Sequence, residues 1–472
     1  MIATKTEQRE AKGKALALGL LVAAFMAACL LLTASPAHAK TFSVNSTKDR
    51  EDERPGNGRC STGVRIVHKD GGLEPECTLR AAIQEANATT RADTINFGIL
   101  SRRDTNCDAT TKVCTIIPAS PLPKITEPVT INGYSQPGSS VNTATTGTNA
   151  VLKIVLDGSN APDDTIGLYV TALDSTVKGL VINGFNTGVI LFPDGGQQGE
   201  ENRLEGSFIG TDATGTKVSS NQFGVFPTGI ATGKNEVVGG NTLAARNLIS
   251  GNLFGVDLLS LATVEGNLIG TDATGTTSLG NVTGVLVEGP DNTIGGNGAA
   301  RNTISFNGQD GVEISDGTGN RILSNSIFFN GGLGIDLGND GVTPNDPQDP
   351  DTGPNRLQNY PEITSAKKFP DNTTTIAGSL NSTPGSTFTI QFFSSPAADA
   401  SGFGEGKIFL GEIQVTTNTR GDTGTFAFTT NRGAVPVGQF ITATATNDAT
   451  GDTSEFSQAK PVESAIIDPD LG

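Results

Sequence analysis

The chain has 472 residues, among them 60 glycines, 22 phenylalanines, three tyrosines and no tryptophan, with a formal net charge of −17. Such an acidic surface repels nucleic acid and anionic lipid. The length accommodates two or three domains, and the dominance of glycine over charge favours turns and strands over long helices.

Lys5, Arg9, Lys12 and Lys14 precede an uncharged run over residues 15–32, and Ala37-His38-Ala39 follows it. This pattern predicts a secretory signal peptide over 1–39. An uncleaved anchor is the competing reading, because the run is nearly long enough to span a bilayer. Cys29 follows Met26-Ala27-Ala28 as in a lipoprotein signal, but Leu30, Leu31 and Leu32 prolong the apolar run beyond it. Cleavage removes four of 32 basic and two of 49 acidic side chains, which leaves −19. No later stretch is apolar enough to cross a membrane, so the expectation is a soluble monomer, secreted or at the cell surface.

Residues 40–160 read as a capping region with the first coils. Cys60, Cys77, Cys107 and Cys114 all fall here, and an exported chain lets them oxidise. Three pairings are possible; short loops favour Cys60 with Cys77 and Cys107 with Cys114. Neither spacing suits zinc, and His68 has no evident partner among them. Leu79, Ala82, Ile83 and Ala86 repeat at helical spacing, with Thr78 as N-cap and Asn87 at the end. The segment reads as a lid on a stack of strands that begins with 41–44, 94–97, 129–131 and 152–156.

From 161 to 337 one phrase recurs: a glycine followed by alternating apolar residues, at Gly167, Gly188, Gly224, Gly255, Gly284, Gly311 and Gly334. The intervals of 21, 36, 31, 29, 27 and 23 are too irregular for leucine-rich or helical repeats. They suit an all-β solenoid, a right-handed parallel β-helix whose coils pair strand to strand while their loops vary. Ile-Gly-Thr-Asp-Ala-Thr-Gly-Thr at 209–216 returns at 269–276, two coils on. Asn252 and Asn307 follow matching apolar pairs and read as stacked corner residues. Phe328 and Phe329 head the last coil, and one is expected inside it. Residues 338–362 read as an Asp- and Pro-rich linker or long terminal turn, 363–463 as an Ig-like β-sandwich with strands near 374–380, 388–393, 407–415, 424–429 and 440–447, and 464–472 as a tail.

Cys77-Thr78-Leu79-Arg80-Ala81-Ala82-Ile83, followed by Glu85-Ala86-Asn87, resembles the motif of exported bacterial proteins named for Cys-Ser-Leu-Arg-Glu-Ala. The likeness extends through Asp157-Gly158-Ser159, the Ile-Gly-Thr-Asp phrases and the segment 339–360. It implies a β-helix surface protein and brings no catalytic residues. Thr78 keeps the capping hydroxyl of the motif's Ser, whereas Ala81, in place of Glu, cannot return the reciprocal bond.

Parallel β-helices include polysaccharide hydrolases and lyases, so enzymatic function is weighed from residues. The Gly-His-Gly of pectinase-type hydrolases is absent, His68 being the only histidine after the signal. A calcium-dependent polysaccharide lyase could use Asp257, Glu288, Glu313 or Asp336. Asp257, Glu313 and Asp336 each stand two residues after a repeating glycine, and strand alternation turns them outward as a solvated stripe for cations or sugar. Lys234, Arg246 and Arg321 are the nearby bases, none marked as a low-pKa base. Asp336, Asp340, Asp346, Asp349 and Asp351 offer the oxygen ligands calcium prefers, without EF-hand spacing. Asp212 and Asp272 read as turn closers. Sugar stacking has little support from Tyr134, Tyr169 and Tyr360 alone. The leading expectation is therefore an extracellular structural or adhesive protein, ahead of a lyase and of a cell-wall glycan-binding module.

Overall fold

The structure is a computed structural model that describes residues 39–67, 70–194, 200–229, 236–431 and 435–465. The expected signal peptide, apart from Ala39, lies outside the described residues, as do His68, Lys234 and the tail from 466. Among the described residues no helix is long and apolar enough to cross a membrane.

Among the described residues, three parallel sheets of nine, eight and seven strands run side by side along a β-helix-like solenoid. Each strand pairs with its counterparts one coil before and one coil after, so the chain visits the sheets in rotation. Alternation within each short strand sends every second side chain inward. On the second sheet Leu156, Ile182, Ile209, Ile249, Ile269, Ile304 and Ile327 stack in register, each at most 1% exposed. Each such side chain stabilises the fold by roughly 1.5–3 kcal/mol. The two copies of the Ile-Gly-Thr-Asp phrase stand two coils apart, as their spacing predicts.

The repeating glycines have a steric cause. A Cβ on Gly167, Gly188, Gly224, Gly255 or Gly284 would approach the carbonyl oxygen of the next glycine to 2.4–2.6 Å. No side chain fits where coil backbones touch so closely.

The corner asparagines form continuous ladders. The backbone N–H and Nδ2 of Asn221 donate to Asn252 Oδ1, and the same pair of bonds repeats from Asn252 to Asn281, Asn281 to Asn307 and Asn307 to Asn330. A second ladder runs Asn247, Asn267, Asn302, Asn325. A buried turn carries backbone donors that no strand satisfies, and one amide per coil supplies both an acceptor and a donor.

At the start, the α-helix Leu79–Ala86 follows Thr78, whose hydroxyl accepts from the Ala81 N–H at 3.1 Å. Arg80, 7% exposed, holds Asp49 through two bonds of 2.8 and 2.9 Å and donates to the carbonyls of Ser120 and Pro121. Disulfides join Cys60 to Cys77 and Cys107 to Cys114.

After the last coil come two four-stranded sheets that share one apolar cluster including Ile376, Phe388, Phe392 and Ile441. The expected strands appear there, with an additional first strand at Glu362–Lys368 and two short closing strands at Lys460–Pro461 and Glu463–Ser464. This region substitutes for the missing next coil. Phe456 stands where a Cβ on Gly334 would meet its ring at 2.9 Å, and Phe393 and Phe456 belong to the solenoid's own core. Glu405 ends the first asparagine ladder: its Oε1 accepts from the Asn330 N–H at 3.0 Å and Nδ2 at 2.8 Å. The stretch expected as a linker is packed against both neighbours. Asn355, fully buried, accepts from the Asn320 N–H and donates to the Thr453 carbonyl, both at 3.0 Å.

One interior assignment is corrected. Ile327 fills the core position of the last coil, while Phe328 and the half-exposed Phe329 sit outside it with Phe306, the Lys407 Nζ lying 4.4 Å from the Phe328 ring centroid.

Candidate functional site

The position two residues after each repeating glycine forms one outward column on the seven-stranded sheet. Register places Tyr169, Ile190 and Phe226 side by side at one end, and Asp257, Leu286, Glu313 and Asp336 at the other. The outward direction expected for the acids is right, since their neighbours Val256, Leu258, Val312, Ile314, Ile335 and Leu337 fill the core.

Their solvation is not. Asp257, Glu313 and Asp336 are 3%, 6% and 4% exposed. Leu286 interrupts the stripe, and residues 339–341 lie over its end: Asn339 Nδ2 donates to Glu313 at 2.8 Å, and the Gly341 N–H to Asp336 at 3.2 Å. Burial raises all three acids above the ordinary carboxylate range, Asp257 to about 7, where the neighbouring Glu288 charge adds to the effect. A carboxyl without a cation beside it keeps its proton when desolvated.

The five acids expected as calcium ligands separate into two places. Asp346, Asp349 and Asp351 come together, with one oxygen from each inside a 4.8 Å span. Asp336 and Asp340 lie outside this group, because Asp336 is fixed in the last strand of the solenoid and faces Glu313 instead. Asp349 accepts from Gln358 Nε2 at 2.8 Å and from the Ser382 hydroxyl, so both sides of the junction position it. Asp346 Oδ1 and Asp351 Oδ1 are buried without a hydrogen-bond partner. Burial, with Asp351 and Asp346 as neighbouring charges, pushes Asp349 up to about 6. Three hard oxygens converging with lone pairs unused fit a divalent cation of the calcium type.

Asp212 and Asp272 close tight turns, as expected, by accepting from the N–H groups of Lys217 and Thr277 at 3.3 Å. Arg246 is structural. It is 9% exposed and donates to the carbonyls of Gly266, Ala144, Thr145 and Gly147, and burial lowers its pKa. Arg321 donates to the Asp448 carbonyl.

The sequence reading missed an aromatic surface at the other end of the column. Tyr169 and Phe226 are half-exposed, Phe192 is 39% exposed, and Lys124 Nζ lies 4.5 Å from the Tyr169 ring centroid. Half-exposed Phe223 and Phe254, at the first positions of the strands Phe223–Pro227 and Phe254–Leu258 and on the parity of Val225 and Val256, form a separate pair, in register with ring centroids 5.3 Å apart and planes 15° from parallel. Strands of adjacent coils lie ≈ 4.7–4.9 Å apart, so residues 31 positions apart in sequence become stacked neighbours. The signal was present in the glycine phrase, whose third position holds Tyr169 and Phe226 as well as the acids.

No protein-family model and no curated protein matches the chain. Among solved structures, the crystal structure of the Dettilon tailspike protein is similar at 12% identity, over 81% of this chain and 90% of that one, with a TM-score of 0.23.

Proposed function

We propose that the chain is an extracellular adhesive protein, a right-handed β-helix capped by the helix Leu79–Ala86 and closed by a C-terminal β-sandwich, which holds polysaccharide on the aromatic end of its seven-stranded sheet. The observation that carries this reading is the pair of half-exposed rings Tyr169 and Phe226, which share the outward column of a rigid parallel sheet with Ile190 between them. Flat ring faces stack on the apolar faces of sugars, and a β-helix fixes their spacing without a mobile loop. Two disulfides accord with an exported chain, and the Cys-Thr-Leu-Arg-Ala-Ala segment with membership of the motif family it resembles.

Calcium enters as a structural ion. Asp346, Asp349 and Asp351 would hold it at the junction between solenoid and sandwich, where it would fix the closing turn. Millimolar calcium should raise the melting temperature of the wild-type chain and leave Asp349→Asn unmoved; equal responses would remove the ion from the account.

A lyase would need accessible acids with a base beside them. Asp257, Glu313 and Asp336 are buried, and the guanidinium of Arg246 is committed to carbonyl groups. Affinity electrophoresis in gels cast with cell-wall polysaccharides tests the reading. Retardation of the wild type, lost in Tyr169→Ala/Phe226→Ala with unchanged circular dichroism, is the expected result. Retardation that survives both substitutions would overturn the assigned face. Release of unsaturated or reducing ends, abolished by one point mutation, would replace adhesion with catalysis.

A further inference from the structure

Three coils pass from a strand of the eight-stranded sheet straight into the corner that the first asparagine ladder secures: Ile249-Ser250-Gly251-Asn252, Ile304-Ser305-Phe306-Asn307 and Ile327-Phe328-Phe329-Asn330. The residue before the asparagine has a left-handed backbone in each, with φ of 78° at Gly251, 64° at Phe306 and 60° at Phe329. Glycine adopts that conformation freely, whereas a bulky side chain is strained in it. Phenylalanine thus stands, in two successive coils, where local backbone preference asks for glycine. Strain of this kind persists where something other than the backbone needs the side chain.

The core does not supply that need. Phe329 is 50% exposed and Phe306 half-exposed, and neither belongs to the solenoid's apolar cluster. Instead Phe306, Phe328 and Phe329 gather on the outside, with ring centroids 5.2 to 5.9 Å apart. Lys407, arriving from the sandwich, holds Nζ 4.4 Å from the Phe328 centroid and 5.2 Å from that of Phe329. Beside these rings lies a cavity of about 140 Å³, walled by Phe328, Phe329, Pro396, Ala398, Asp399 and Lys407. Most of its other polar groups are already engaged. Glu405 accepts from the Phe329 and Asn330 N–H groups and from Asn330 Nδ2, and the Ser395 hydroxyl is shared between the Glu405 carbonyl and the Lys407 N–H. Asp399 gives one oxygen to the Ser401 N–H at 2.8 Å, and among the described residues Lys407 Nζ has no ion pair.

We propose that this corner is a second carbohydrate site, which seats one neutral sugar ring of a glycan against Phe329 and bonds its hydroxyl groups to Asp399 and Lys407. A pyranose offers an apolar C–H face bordered by hydroxyls that both donate and accept; an exposed ring beside one carboxylate and one ammonium group is the complementary surface. The cavity of about 140 Å³ is smaller than the roughly 300–1,000 Å³ of a pocket for a drug-sized ligand, which limits the site to a single ring. Charge selects a neutral sugar, because one ammonium group stands beside Asp399 and Glu405 in a chain of net charge −17, a setting that repels anions. The corner goes beyond the column of Tyr169 and Phe226, with which it shares neither a residue nor a sheet.

Saturation-transfer NMR on the full chain tests the site, with neutral trisaccharides of glucose, galactose, mannose and N-acetylglucosamine as probes and trigalacturonate as the acidic one. The Tyr169→Ala/Phe226→Ala chain is used throughout, so the signal comes from the corner whether or not the column binds. At least one neutral trisaccharide should receive saturation, and adding Phe329→Gly should reduce it by roughly tenfold, about the loss of one aromatic contact. Glycine suits the left-handed position, so Phe329→Gly should melt within a few degrees, about 3 °C, of its parent; a larger fall would assign the ring to the fold and overturn the proposal. Lys407→Gln is the second variant, with a smaller reduction of the same sign. Saturation of none of the neutral probes, or of trigalacturonate in preference to them, would overturn it. So would a dimer of the parent chain, seen in sedimentation, that Phe329→Gly dissociates, because the rings would then serve self-association.

Discussion

Replacing Asn281 with alanine cuts the longer asparagine ladder at its middle. Asn281 Oδ1 accepts from the Asn252 N–H and Nδ2, each at 3.0 Å, and its Nδ2 donates to Asn307 Oδ1 at 3.0 Å and to the Ile249 carbonyl at 3.1 Å. The Asn252 amide retains the carbonyls of Ile209 and Ser250, but the Asn252 backbone N–H is left buried with no acceptor. That orphaned donor costs about 1–3 kcal/mol, and the further lost bonds about 1 kcal/mol each. The expected total is roughly 4–6 kcal/mol, because the tightly stacked coils allow little relaxation into the space. Guanidinium unfolding followed by far-ultraviolet circular dichroism suits a chain without tryptophan, and exchange at the Asn252 amide localises the effect. Asn186→Ala, which removes an exposed bond to Gln222 and one from the Thr187 hydroxyl, should cost no more than about 2 kcal/mol. If the two variants lose the same stability, the ladder is not what secures the corners.

Other consequences follow from burial and close approach. Glu236, fully buried, and Asp257 are pushed by desolvation to about 8 and about 7. Their folded-state pKa values lie above the unfolded ones, so the stabilisation is complete in acid and disappears as the pH rises through 7 to 8. The melting temperature should therefore fall between about pH 5 and pH 8, and Glu236→Gln should flatten that fall; a wild-type curve that rises over this range would refute the reasoning. In Gly255→Ala the new methyl would stand 2.5 Å from the Gly284 carbonyl oxygen, an overpacking cost of about 1–3 kcal/mol or more that thermal melts will register. Cys60→Ser/Cys77→Ser opens a cross-link of sequence separation 17 and should cost about 3 kcal/mol in denaturant titrations, with the solenoid's parallel strands retained.

The glycine phrase, the apolar alternation and the repeated Ile-Gly-Thr-Asp segment made the solenoid legible, because every coil must solve the same packing problem with the same local pattern. The helix Leu79–Ala86, its Thr78 cap and the two short disulfide loops were legible for a related reason: their partners lie close along the chain. Parity also told correctly which way Asp257, Glu313 and Asp336 point. It could not tell what covers them. Asn339 and Gly341 fold back over Glu313 and Asp336 from the following segment, and Glu455, more than 100 residues away, holds that segment by accepting from the Leu337 and Thr343 N–H groups. The same limit hid the pairing of Phe223 with Phe254, which become neighbours only when one coil settles on the next. It also mixed the acids of 336–351, which read as one group along the chain until the last strand turned Asp336 away from Asp346, Asp349 and Asp351. Local periodicity specifies direction and pairing; solvation, charge and the company a side chain keeps depend on which distant segment comes to lie over it, and that was decided by tertiary packing.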